Sequence, residues 1–266
     1  SSVVMGAATA RAAGVGEVVV CAAHPVMLAA AAICAADEVY AMGGAQAIAA
    51  LAYGTETIAP VDVIVGPGAL YAQEAKRQVA GAVAIDGFAG PSDLVIIATE
   101  RPDLARLDAL AQAEHGAGSV VAIVSPEPAV LDAVAYEGEA FVALIEADLE
   151  TALAFANDFA PEHLQLIGAE AEALAPRVRT AGCLFVGPGA GTAFGDYVVG
   201  SNHVLPTEGA ARYASGLNVR HFLRVMNEVW IPPPAAAQLA PHGAAIARAE
   251  GFEAHAASMD ARMEPL

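Results

Sequence analysis

Five short polar clusters hold the side chains of this 266-residue sequence that can do chemistry. Gly90-Pro91-Ser92-Asp93 is a turn between two apolar runs. Gln112-Ala113-Glu114-His115 closes a helix-like segment. Gln112 and His115 are three apart, so they share a helical face and can both reach one ion. Pro161-Glu162-His163 sets a carboxylate beside an imidazole at the entrance to a strand. Gly195-Asp196-Tyr197 runs on to Ser201-Asn202-His203, and Glu250 and His255 stand in the C-terminal stretch. Each has a plainer alternative when taken singly. His115 can be a cation complementing a helix C-terminus, Glu162 an exposed loop residue, Asp196 the head of an Asx-turn and His255 a surface group. His24, His221 and His242 lie in no such cluster and read as structural or surface groups. Together the clusters say more. Four of the seven His sit in them, in a chain of which only 16% of residues are charged. A His–Asp–His set with a neutral amide oxygen suits a borderline divalent ion such as zinc.

The elements that must position these groups alternate. Strand-like apolar runs fall at 17–21, 38–41, 61–65, 83–86, 94–98, 119–124, 141–145, 164–167 and 183–186. Helix-like, Ala-rich segments fall at 3–13, 25–35, 45–52, 69–79, 104–114, 131–135, 149–157 and 169–177. Continuous apolar strands joined by helical crossovers form a parallel sheet, so the class is α/β and doubly wound. Gly and Pro around 89–91 mark a break between two sets of βα units. Past Gly195 the alternation stops; 217–229 reads as a helix stopped by the prolines at 232–234, and 235–262 as a helical tail. Gly43-Gly44-Ala45-Gln46 and Gly66-Pro67-Gly68 each follow a strand and open a helix. Such sites either hold an anion on free N–H groups or are tight turns needing positive φ. Neither is a GxGxxG fingerprint, so neither supports a standard dinucleotide site.

Charge and composition narrow the partners. With 12 basic and 30 acidic residues the chain carries −18, which excludes phosphate-backbone binding and disfavours anionic membranes. No apolar run reaches the roughly 18 residues of a spanning helix. The three cysteines have no CxxC spacing and read as reduced thiols, consistent with a cytoplasmic location. The opening SSVVM is no signal peptide and reads as the interior of a longer chain. Lys76 is the only lysine.

In order along the chain, VMGAATARAAGVGEVVVC, GGAQAIAALAYGTETI, VDVIVGPG, EAKRQV, AIDGFAGPSD, AQAEHG, NDFAPEHLQL and GDYVVGSNHVLPT, with the spaced pair Glu250 and His255, resemble the histidinol dehydrogenases. The resemblance runs from residue 3 to the tail. It implies two Rossmann-like parallel-sheet domains, at 1–91 on the cofactor side and at 92–217 carrying the reactive groups, one of them incomplete. A helical dimerisation tail follows at 218–266. It further implies NAD-linked oxidation of L-histidinol to L-histidine through an aldehyde, with one zinc ion per site. By motif, the zinc ligands are Gln112, His115, Asp196 and His255, the last supplied across a homodimer. Glu162 and His163 are then the acid/base pair, Ser92, His203 and Glu250 touch substrate, and Gln46 touches the cofactor. An N-terminal stretch of the family has no counterpart here, which suggests a fragment or a short form. Ala69 follows Gly66-Pro67-Gly68 where the family has Asn, a change worth about 1–2 kcal/mol if that side chain bonds the cofactor. Arg220 and His221 depart from the family pattern and keep open an anionic substrate such as a sulfonated diol. A truncated, inactive homologue is the remaining alternative.

Overall fold

The computed structural model describes residues 1–263, which form two compact units, Ser1–Leu223 and the part of the chain from Arg224 onward. The first unit begins with α1 (Ser2–Ala12), β1 (Val19–Cys21), α2 (Pro25–Ile33), β2 (Glu38–Tyr40), α3 (Gly44–Tyr53), β3 (Val63–Ile64), α4 (Leu70–Val79) and β4 (Ala84–Ile85). Here β1 pairs in parallel with β2, and β3 with β4, as two separate two-stranded sheets. A small cluster of Leu51, Ala52, Ile64, Val79 and Val83 packs α3 and α4 onto them.

The larger sheet follows: β5 (Asp93–Ala98), α5 (Pro102–Ala113), β6 (Val120–Ser125), α6 (Pro128–Asp132), β7 (Phe141–Glu146), α7 (Leu149–Phe159), β8 (His163–Ile167), α8 (Ala169–Glu172), β9 (Cys183–Val186) and α9 (Thr192–Tyr197). Its five strands are all parallel in the order β7-β6-β5-β8-β9. Strand side chains alternate between faces. Val95 and Ile97 therefore pack with Leu164 and Leu166 against Ala152, Leu153 and Ala156 of α7. Leu94 and Ile96 pack on the other face with Ala105 and Ala109 of α5. Helices cover both faces, so β5 is buried along its whole length. This is the α/β class and doubly wound parallel sheet that the sequence predicts.

The second unit holds α10 (Pro233–Ala249) and α11 (Glu253–Asp260), packed through Ala244, Ala247, Ala256 and Met259. None of the described helices is long and apolar enough to cross a membrane.

Three expectations are corrected. The segment 217–229 is not a helix; it holds one 3-10 turn, Val219–Phe222, capped by Asn218, and then extended chain. β-branched Val225 and Val229 disfavour helix, and Val225, Met226 and Trp230 have no helical face to bury, being 94, 73 and 83% exposed. The prolines at 232–234 do not end a helix but open α10, since a proline in the first turn has no N–H to lose. Asp196 sits in α9, a short helix at the point where the alternation of strands and helices was expected to stop.

Candidate active site

Seven of the ten residues singled out in the sequence line one cavity of about 530 Å³: Ser92, Gln112, His115, Glu162, His163, Asp196 and His203. The cavity lies at the amino ends of β5 and β8, where Ser92 precedes one strand and His163 opens the other. Helix α5 runs back across the sheet and delivers its C-terminal end to the same edge, with Gln112 in its last turn. His115 lies just past the helix end, not on its face as the spacing suggested, and still reaches the cavity. Helix α9 brings Asp196. A Cβ at Gly195 would come within 2.7 Å of the Phe185 ring, so only glycine lets α9 seat this closely on β9.

A hydrogen-bonded mesh locks the reactive groups. Gln112 Nε2 donates to Ser92 Oγ at 2.7 Å, and Ser92 Oγ donates to Glu162 Oε2. The Asp93 N–H adds a second bond to the same Glu162 oxygen at 3.2 Å, while the Glu162 N–H donates to Asp93 Oδ1 at 2.7 Å. His163 Nδ1 faces the Asp93 carbonyl at 3.3 Å, which sets that nitrogen as the N–H donor. Its Nε2 is left facing the cavity, 4.0 Å from Asp196 Oδ1. His203 Nδ1 lies 3.1 Å from the Asp196 carbonyl, and its Nε2 lies 2.8 Å from Ser2 Oγ. Glu162 is buried, not the exposed loop residue its position after Pro161 allowed.

Burial governs the titration of this mesh. Loss of solvent, with the Asp93 and Asp196 charges adding to it, pushes the Glu162 carboxyl up to about 8 against the opposing Ser92 bond. Burial likewise lifts Asp93 to about 6. It pushes the His163 imidazole down and keeps it neutral, with the Asp196 charge working the other way.

The described residues contain no group of three His, Cys, Asp or Glu side chains placed to hold a metal ion. The donors that are present nevertheless fit a zinc ion in part. Gln112 has its amide nitrogen committed to Ser92, leaving Oε1 as the free end. His115 has Nδ1 on the Gln112 carbonyl at 2.9 Å, leaving Nε2 as a ligand of fixed tautomer. Asp196 adds a partly exposed carboxylate. One amide, one imidazole and one carboxylate on a single wall are one donor short of a tetrahedral set.

The other three predicted residues lie elsewhere. Gln46 is exposed in the first turn of α3 and does not line this cavity. Glu250 and His255 are exposed on the second unit, at the end of α10 and in α11. Around Gln46 the geometry suits an anion. Neither α3 nor α4 has a side-chain cap, so the N–H groups of both first turns are open, behind Gly43 and Gly68. Asp93 belongs to the first polar cluster of the sequence but was assigned no role there; in the structure it braces both Glu162 and His163. Its signal was a carboxylate at the mouth of a fully apolar strand, where an unpaired charge is costly.

Comparison with known proteins identifies the family. The family model described as Histidinol dehydrogenase matches residues 1–146 and 139–263. A histidinol dehydrogenase of Thermus thermophilus is 46% identical over 284 residues, covering 98% of this chain and 69% of that protein. One from Rhizobium meliloti is 43% identical over 289 residues, covering 99% and 67%. The crystal structure of histidinol dehydrogenase from Elizabethkingia anophelis matches 98% of this chain and 67% of its own with a TM-score of 0.90 at 31% identity. The chain therefore belongs to the histidinol dehydrogenase family.

Proposed function

We propose that this chain oxidises L-histidinol to L-histidine in histidine biosynthesis, in two NAD-linked steps that pass through histidinaldehyde, with one zinc ion per site. The observation that carries this reading is the mesh of Gln112, Ser92, Glu162 and His163 facing His115 and Asp196 across one cavity. Gln112, His115 and Asp196 would hold the zinc, with His255 from a second copy of the chain as the fourth ligand. When bound, zinc supplies a Lewis acid for the alcohol oxygen and NAD the hydride acceptor. His163 takes the alcohol proton at Nε2, the nitrogen left free by the Asp93 carbonyl, and burial keeps it in the neutral form that can accept. Glu162, in the ionised form it takes up as pH rises through about 8, activates the water that hydrates the aldehyde, Ser92 holding its carboxylate in place. His163 then serves again as base in the second oxidation. Ser92 and His203 contact the substrate from this wall, and Glu250 of the second copy meets the substrate ammonium.

The cofactor side is 1–91, with Gln46 and the open first turns of α3 and α4 meeting the dinucleotide. The zinc and acid/base side is 92–217, and 218–266 is the dimerisation tail. Phe194, Tyr197, Val198 and Val199, beside Asp196, are 54, 70, 75 and 61% exposed, an apolar surface of the kind a second copy would cover. The reaction is cytoplasmic on this reading.

Arg220 and His221, which kept an anionic diol open, are absent from the described cavity lining, and His221 is occupied with Asn218. Histidinol is thus preferred. The test is NADH formation from L-histidinol, lost on chelation and restored by zinc. Stoichiometric zinc with NADH from a sulfonated diol and none from histidinol overturns the substrate. No zinc and no NADH from either alcohol supports the inert homologue. Mixing His255→Asn with Asp196→Asn protein restores a fraction of active sites if ligands are shared between chains; activity unchanged by mixing counts against the dimer.

A further inference from the structure

The only lysine of the chain is buried. Lys76 lies in α4, and it pairs with Asp86 just past β4; the two side chains are 3 and 4% exposed. The pair grips one residue, Gly66. Lys76 Nζ donates to the Gly66 carbonyl at 3.1 Å, and the Gly66 N–H donates to Asp86 Oδ2 at 2.7 Å. Gly66 has φ +112°, a conformation that L side chains rarely adopt, so the turn depends on glycine and on these two partners. One helical turn away, buried Gln73 donates to the Gly68 carbonyl at 3.4 Å and accepts from the Ala89 N–H at 3.2 Å. Pro67, Ala89 and Gly90 all line the cavity. The buried face of α4 therefore spends both of its polar side chains on the main chain of two cavity-lining segments.

Stability does not account for the pair. Two charges removed from water recover at most what apolar side chains of similar volume would supply, and such replacement is often neutral or stabilising. What an apolar pair cannot do is hold the Gly66 N–H and carbonyl in one orientation.

We propose that Lys76 and Asp86, with Gln73, are positioning residues that fix the Gly66–Gly68 turn in the form the NAD cofactor meets. This rests on the cofactor reading given under Proposed function. The variant to make is Lys76→Met with Asp86→Leu, which removes both charges and strands neither. Its melting temperature stays at or above that of the parent. Its Kd for NAD, measured by calorimetric titration without substrate, rises about tenfold or more, because a misplaced turn forfeits contact geometry. The KM for NAD rises in parallel and by more than the KM for histidinol, while the zinc content stays unchanged. NAD binding by the parent with equal binding by the double variant overturns the positioning role alone. No NAD binding by the parent overturns the cofactor reading and this inference with it. Should the double variant not fold, hydrogen exchange on the parent decides. A Gly66 amide protected as well as those of β5 supports the clamp, and exchange at the rate of an open loop overturns it.

Discussion

The two edges of this molecule where loops meet strands have opposite electrostatic character. At the amino ends of β5 and β8 a helix arrives by its C-terminus, and Gln112, Glu162 and Asp93 gather around carbonyl-rich backbone. At the carboxyl ends of β2 and β3 two helices begin, α3 and α4, with uncapped N–H groups behind glycines. The macrodipole makes the first edge suited to cations and the second to anions. Pro67, just past β3, brings the second edge to the same cavity as Ser92 and His163. The edges also differ in stiffness. Every residue of β5 and β8 is buried and the site residues brace one another, whereas β1 is only half-buried and β2 is largely exposed. The buried strands hold their side chains in fixed geometry, whereas the turn at Gly66 is held from behind by Lys76 of one helix and by Asp86.

The largest effect expected from breaking this contrast is at the stiff edge. His163→Asn lowers turnover by about 10²–10⁴-fold while zinc stays bound, read by NADH formation and metal analysis. Loss of zinc with the base would reassign His163 as a ligand. Stiffness itself is tested by truncation: Ile96→Ala in β5 costs about 2–5 kcal/mol in urea unfolding, Val39→Ala in β2 under about 1. Similar costs would erase the distinction between the two regions.

A subtler test uses pH. The Glu162 carboxyl is raised from an ordinary 4.5 to about 8, so the folded state holds its proton more tightly than the unfolded chain does. The resulting stabilisation is complete below pH about 4.5 and is lost as pH rises through about 8. Glu162→Gln removes that dependence. In metal-stripped protein its melting temperature relative to the parent therefore climbs between pH 5 and 9, by about 10 °C. A constant difference across that range would mean the carboxyl is ionised throughout. The smallest effect is expected at the anion edge. Ala69→Asn caps α4 and adds about 1 kcal/mol of stability, seen as a small rise in melting temperature.

Much of the fold is written locally. β9 begins and ends where its apolar run does, and β5 and β8 differ from theirs by one residue, because the predominantly apolar runs of a parallel sheet are a local feature of the sequence. Local signals failed where neighbours decide. The helix α9 contains Gly195 and has little propensity of its own; its packing on Phe185 makes it. At 217–229 apolar residues imitate a helical face, yet Val225, Met226 and the following Trp230 stay largely exposed.

The amino-acid sequence by itself determined the α/β class, the polar clusters and the family they resemble, because periodicity and residue type are properties of short segments. Tertiary structure alone decided that Ser92, Gln112, Glu162, His163 and Asp196, drawn from four distant stretches, share one cavity. It alone made Asp93 a brace and Lys76 a clamp. Burial and hydrogen bonding between remote segments are set by packing, and it is burial that turns an ordinary glutamate into one held near 8.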